Sequence, residues 1–341
     1  MKFHAGSLLL VGAVLLGLSS PPAFAETPKK LKVGLVLDKG GRDDKSFNAA
    51  AFKGATDAEK KFGISLKTVE SSDDSALEPS FRTFAKMGYD LIIGIGFVQN
   101  TALTKVAKEF PNISFVLIDS LATLPNVHSV LFSEQEGSFL VGALAAMTSK
   151  SKVIGFVGGM DVPLIRRFEL GYREGAKYVD KKTEVITNYV GSGSDAWRNP
   201  TKAKELAISQ YKKNADVIFT PSGASSLGVF DAAEELKKFV IGTDSNQNWI
   251  KPGRVLTSMV KRVDLAVFNV IEQKTKNKFA SGEFILGLKE GGVDFALDEF
   301  NRPLVSPAVE KRLVEIKNKI IEGAIKVPDY YKTRNTAGTG K

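Results

Sequence analysis

The sequence contains no cysteine and only two histidines, His4 and His128. Without cysteine there is no disulfide framework, no thiolate metal site and no cysteine for lipid attachment. One histidine beside the amino terminus and one in "NVHSVLF" exclude a histidine-based triad and a two-histidine metal centre from the chain beyond residue 25. No apolar run reaches the ~20 residues that a membrane-spanning helix needs. Phosphate-binding and nucleophile signatures are missing as well. "GIGFVQN" lacks the third spaced glycine of a dinucleotide fingerprint, no "GKS" or "GKT" follows a glycine-rich turn, and no "GxSxG" occurs. These absences point away from an enzyme, a cofactor or a metal centre, and leave only carboxylate chemistry open as a catalytic alternative.

The amino terminus has Lys2, then "SLLLVGAVLLGLSS", then "PPAFA" before the charged "ETPKK". This pattern reads as a secretory signal peptide over residues 1–25, with a small-x-small cleavage site ending at Ala25. The expectation is an exported periplasmic protein that diffuses freely for want of a lipid-attachment cysteine. A domain of ~300 residues buries roughly 75% of its unfolded surface and folds without disulfide staples. The formal charge is +9, and +8 without residues 1–25, which hold one lysine and no acid. That excess is scattered through "KKLK", "EKKF" and "ELKKF", with no aromatic-interleaved basic patch. It serves solubility and predicts no nucleic-acid partner.

Short runs rich in Val, Ile and Phe alternate with longer amphipathic segments. Strands are expected at 32–37, 65–70, 90–95, 114–118, 153–157, 184–190, 216–220 and 239–242. Helices are expected at 46–62, 78–86, 134–148, 163–179, 200–212 and 225–237. Such alternation predicts doubly wound α/β sheets with parallel strands covered on both faces. The series restarts at "SKSKVIGFVGG", where "KVIGFVGGMD" parallels the opening "KVGLVLDKGG", and this favours two domains. "EFILGLKEGGVDFALDEF" reads as a glycine-turned hairpin, followed by a helix at 307–321 and a disordered tail at 331–341.

In parallel α/β sheets, ligands gather at the carboxyl ends of the strands, so the loops there are the place to search. The first is "DKGGRDDKSFN", where Ser46 is a candidate cap for the helix that follows. Phe47 needs somewhere to put its ring, either a ligand cleft or a hydrophobic staple. Trp197, one of two tryptophans, stands in the polar loop "GSGSDAWRNP" and offers a second aromatic face. Asp119 and Asp244 each close a β-like run, "SFVLID" and "FVIGTD", where a carboxylate can accept from paired sugar hydroxyls or serve as a turn residue. Lys261 in "TSMVKRVD" is either a ligand-facing donor or a surface lysine.

Taken in order, "KVGLVLDKGGRDDKSFNAAAFKGA", "DLIIGIGF", "FVLID", "EGSFLVGALAA", "KVIGFVGGMDVP", "WRNPTKAKELA", "DVIFTPSGASSLGV", "VIGTDSNQ" and "LTSMVKRVDLAV" resemble the basic membrane protein family, also called PnrA-like. These are substrate-binding components of ABC importers, best known for purine nucleosides. The resemblance implies a type I periplasmic-binding-protein fold, with two α/β lobes hinged by crossover strands. One lobe would comprise 26–132 and 245–280, the other 133–244 and 281–330. It also implies a monomer that captures a small molecule without chemistry and passes it to an inner-membrane permease. Phe47 and Trp197 would stack on the two faces of a base, with Asp44, Asn48 and Phe97 nearby. Asp119 and Asp244 would hold ribose hydroxyls, Lys261 would lie near the sugar, and Gly223 would admit close backbone approach. The chain departs from the family pattern in lacking the lipoprotein cysteine, in having Trp197 where a phenylalanine is usual, and in having Asn199 where aspartate is common. A sugar binder of the same fold and a nucleoside-cleaving enzyme are the competing readings.

Overall fold

The structure is a computed structural model and describes residues 1–3, 30–71 and 73–337. The expected signal-peptide core and its cleavage site lie outside the described residues.

Two six-stranded sheets carry the fold. The first contains β1 (Lys32–Leu37), β2 (Ser65–Glu70), β3 (Leu91–Ile95), β4 (Ser114–Ile118), β5 (Val127–Phe132) and β11 (Gly282–Leu286), in the order β11-β5-β4-β3-β1-β2 and all parallel. The second contains β6 (Val153–Met160), β7 (Glu184–Gly191), β8 (Val217–Phe219), β9 (Phe239–Asp244), β10 (Val255–Lys261) and β12 (Val293–Phe295), in the order β12-β10-β9-β8-β6-β7. Only β12 runs antiparallel among them. The two orders are the same, so the loops after β1 to β5 have counterparts after β6 to β10. In each, the strand order reverses beside the opening strand, and the crevice at that reversal is where ligands bind in open α/β sheets.

The central strands are apolar on both faces because helices cover both. On the first sheet, α2 (Leu77–Lys86) and α3 (Asn100–Glu109) supply Phe81, Phe84, Leu103 and Val106 to one face, while α1 (Phe47–Phe62) and α8 (Val263–Thr275) cover the other. On the second sheet, α6 (Pro200–Lys212) and α7 (Ser226–Glu235) cover one face. The other carries α4 (Glu134–Thr148), α5 (Pro163–Val179) and α9 (Pro307–Ile321), packed around Phe156, Tyr172 and Phe219. Backbones of α4 and α5 touch: a Cβ on Gly175 would lie 1.9 Å from the Phe139 carbonyl oxygen, so only glycine permits this approach.

The chain crosses between the sheets three times, after β5, after β10 and after β11. This corrects the expected lobe boundaries, because β10 joins the second sheet although 245–280 was assigned to the first lobe. Likewise β11 joins the first sheet although 281–330 was assigned to the second. The expected hairpin is absent for the same reason: its two arms, β11 and β12, pair in different sheets. The expected disordered tail is corrected over 331–337, since Tyr330–Ala337 forms a helix, α10, while 338–341 lie outside the described residues. Asp329 anchors its start, accepting from the Tyr331 backbone N–H at 3.0 Å and from the buried Arg167 at 3.0 Å.

Candidate functional site

The loop after β1 turns at Lys45, whose φ is +58°, and delivers Asp44 beneath the first turn of α1. One Asp44 oxygen accepts from the N–H groups of Ser46 (2.8 Å) and Ala49 (3.0 Å), the other from the Asn48 N–H (2.9 Å) and the Asn48 side-chain amide (3.0 Å). Asp44 therefore satisfies the free donors that a helix start leaves. This corrects the expectation that Ser46 caps α1. The Ser46 hydroxyl instead donates to Asp244 Oδ2 at 2.6 Å, across to the second sheet. With the helix start fixed, Phe47 presents its half-buried ring to a cavity at the facing carboxyl ends of both sheets.

That cavity, counted together with the solvent-open space at its mouth, comes to about 520 Å³. Of the residues expected at a site, Asp44, Phe47, Asn48, Phe97, Asp119, Trp197, Gly223, Asp244 and Lys261 all line it, and Ser46 alone stands behind the wall. Asn199 also stays out, capping α6 by accepting from the Lys202 N–H at 3.0 Å. Asp119 and Asp244 occupy corresponding positions at the ends of β4 and β9, and both have φ of +67°. A left-handed backbone costs a non-glycine residue about 1–2 kcal/mol, least for Asp and Asn. The repeated turn aims both carboxylates into the cavity. Each spends one oxygen on the protein, Asp119 on Lys261 Nζ at 2.5 Å and Asp244 on Ser46. Asp119 Oδ1 is buried without a partner.

Trp197 sits in a short 3-10 turn after β7 and is seated on glycine: a Cβ at Gly159 would lie 2.1 Å from the indole ring. Gly223, with φ of +58°, lies beside the same side chain. Phe97 meets the indole edge-on, with ring centroids 6.4 Å apart. Further contacts close the mouth between the sheets. Lys39 pairs with Asp195, and the Ser194 hydroxyl donates to Asp74 at 2.7 Å. These contacts bridge the two lobes across the mouth of the cavity.

Several lining residues escaped the sequence reading. Asp38, directly after β1, accepts from the Asn48 amide at 2.6 Å and the Gly40 N–H at 2.9 Å through one oxygen, and its other oxygen accepts no hydrogen bond among the described residues. Its place at a strand end was the signal, the same one that marked Asp119. Leu164, Ile165 and Phe168 arrive from the first turns of α5, where helical periodicity makes them indistinguishable from core. Behind the lining, Glu134, 1% exposed, lies 3.1 Å from Lys261 and reads in the sequence as an ordinary first-turn acid. Lys261 is 1% exposed and rests among the rings of Phe132 (4.9 Å) and Phe47 (5.2 Å), which settles its placement as internal.

The cavity gathers carboxylates around one ammonium. Burial pushes Asp38, Asp44 and Asp244 up to about 6, and Asp119 up to about 7 against the pull of Lys261. For Lys261 itself, burial works to lower the value, but Asp119, Glu134 and Asp244 outweigh it and raise it. Because the folded state holds the carboxyl protons more tightly than the unfolded chain, the stability these groups contribute is complete below pH 4. It is lost as pH rises through 6 to 7. Ligand-free protein is therefore expected to melt at a higher temperature at pH 5 than at pH 7.5. Calorimetric scans at the two values check this, and a Tm higher at pH 7.5 contradicts it.

The family profile described as ABC transporter substrate-binding protein PnrA-like matches residues 31–330. The chain belongs to this family. Among its relatives, the ABC transporter nucleoside-binding protein BmpA of Lactococcus lactis is 34% identical over 342 residues, covering 93% of this chain and 95% of that one. An uncharacterized lipoprotein of Pyrococcus furiosus is 36% identical, covering 78% of this chain and 70% of that protein. The crystal structure of an ABC transporter solute-binding protein from Aeropyrum pernix superposes with a TM-score of 0.82 at 30% identity, covering 89% of this chain and 96% of that chain. The fold is accordingly the two-lobed periplasmic-binding-protein fold. Its work is to bind a small molecule for a membrane transporter. The expectation of a freely diffusing periplasmic protein without a lipid anchor is overturned by relatives named lipoproteins. Lack of cysteine does not by itself establish a free protein.

Proposed function

We propose that this PnrA-like protein captures a purine nucleoside and delivers it, as a monomer, to an ABC permease without altering it. The observation that carries the reading is the pairing, in one cavity, of aromatic walls from the two lobes with strand-end carboxylates that keep oxygens free. Phe47 and Trp197 would flank the base, where each base-aromatic stack is worth about 1–3 kcal/mol. Asp38 and Asn48, already joined to one another, lie beside Phe47 and would read the base edge. Asp119 and Asp244 would accept from the ribose 2′- and 3′-hydroxyls, with Lys261 neutralising part of their charge. The nucleoside-binding name of the Lactococcus lactis relative supports the same ligand class.

Titration calorimetry with inosine, guanosine and adenosine, each beside its 2′-deoxy form, tests this reading. A buried carboxylate oxygen left without its donor costs about 1–3 kcal/mol, so the deoxy compounds are expected to bind roughly 5- to 150-fold more weakly. Equal affinity for ribo and deoxy forms would remove the ribose role from the two aspartates. Release of free base during incubation would replace binding with catalysis.

A further inference from the structure

Behind the cavity, where the chain crosses between the sheets, buried charges of alternating sign form a single row. Asp119 accepts from Lys261 Nζ at 2.5 Å, and the same ammonium lies 3.1 Å from Glu134 Oε1. Glu134 Oε2 accepts from Arg167 Nη1 at 2.7 Å, and Arg167 donates from Nε to Asp329 Oδ1 at 3.0 Å and from Nη2 to Asp329 Oδ2 at 3.3 Å. The side chains of Lys261 and Glu134 are 1% exposed, that of Arg167 7% and that of Asp329 14%. The row begins at the ligand cavity and ends on the carboxyl-terminal segment.

Two of its members stand at crossings between the sheets. Glu134 opens α4 at the first crossing and Lys261 closes β10 at the second. Arg167, on α5, also donates to the carbonyl of Phe132, the last residue of β5, at 2.8 Å. Asp329 grips the guanidinium through two oxygens, and the Tyr331 ring lies over it at 4.7 Å. A fork held in this way has its remaining nitrogen aimed at Glu134 and the Phe132 carbonyl. Glu134 in turn is the one carboxylate that shares Lys261 with Asp119 at contact distance among the described residues.

We infer that Asp329 is a positioning residue for the ligand site. By fixing Arg167 it fixes Glu134, and so sets how the Lys261 ammonium divides between Glu134 and Asp119. Without the Asp329 charge, Arg167 leans on Glu134, Glu134 attracts Lys261 less, and the ammonium shifts toward Asp119. The free Asp119 oxygen then becomes a poorer acceptor. The helix α10 and the strand-end carboxylate are thereby coupled although Asp329 touches neither the cavity nor a ligand. The row is a contiguous chain of buried charged contacts, the kind of network that carries coupling between sites.

The affinity arm rests on the nucleoside reading, so the test has a second arm that does not. The ¹⁵N resonance of the Lys261 ammonium is recorded in ligand-free protein, and inosine affinity is measured by calorimetry, for wild type, Asp329→Asn and Asp329→Glu. Asp329→Asn is expected to move the ammonium resonance and to weaken inosine binding about ten-fold. Asp329→Glu, which keeps the charge, is expected to return both toward wild type. A resonance unmoved in Asp329→Asn overturns the inference whatever the affinity does, because a purely structural loss would leave Lys261 in place. A moved resonance with unchanged inosine affinity also overturns it. Wild-type protein that ignores inosine while the resonance responds as expected counts against the nucleoside reading and leaves the coupling standing.

Discussion

Lys261→Met is expected to lower the unfolding free energy by about 3–5 kcal/mol, the typical result of removing one partner from a buried ion pair. The substituted side chain fills similar volume and keeps the contact with Phe47, Phe132 and Phe168, so packing is not the source of the loss. What remains is the pair Asp119 and Glu134, 5% and 1% exposed, deprived of their common cation. Glu134 keeps Arg167; Asp119 keeps nothing, and its carboxyl can escape the penalty only by taking a proton. The damage should therefore be greatest above pH 7 and smaller at pH 5, where Asp119 is protonated in wild type as well. Denaturant titrations of both proteins at the two pH values check size and sign together. A variant within 1 kcal/mol of wild type at pH 7.5, on the scale set by exposed pairs, would show that the row is solvated.

Most elements were legible in the sequence for one physical reason: a strand covered on both faces must be apolar throughout, and such runs are conspicuous. Exceptions show what that rule misses. Strands β5 and β10 carry His128, Ser129, Thr257 and Ser258, which break the apolar run, yet all four are buried with partners. His128 lies stacked on Phe284 with ring centroids 3.9 Å apart, and Ser258 donates to Asn248 at 2.8 Å. The partners lie 7 or more residues away, so no local pattern announces them. Sheet membership of β10 and β11 is hidden for the same reason, because pairing is a long-range fact that alternation does not encode.

At the site, the division falls along a similar line. Loop residues at strand ends were found because the topology says where to look, and Asp38 was missed only by starting the search a few residues too late. Ser46 has the composition of a cap, but Asp44 sits two residues earlier with a carboxylate that serves more donors than a hydroxyl can. Once Asp44 takes that role, Ser46 is free to reach Asp244, and a helix start becomes a joint between the lobes. Composition offered Ser46 as the cap, and the role belongs to its neighbour Asp44.

Phe47→Ala and Trp197→Ala are each expected to weaken nucleoside binding by about 1–3 kcal/mol, roughly 5- to 150-fold, with smaller effects on folding. Both rings are partly exposed, so truncation exposes little core. The two losses should not be alike. Removing Phe47 also strips a ring from beside Lys261, 5.2 Å from its centroid, and so disturbs the charge that faces the sugar. Removing Trp197 leaves the charged wall intact but opens the space between Gly159 and Phe97. Base contacts should dominate its effect, and Trp197→Phe should recover much of the affinity. Because the rings belong to different lobes, both can stack only in the closed clamp, and losing either also removes part of the drive to close. The double variant should therefore lose less than the sum of the single losses, since residues that act through one event do not add. Calorimetry with inosine on the three variants measures this. Affinity unchanged in both single variants rules out the stacked base, and strict additivity would mean that each wall binds without the clamp closing.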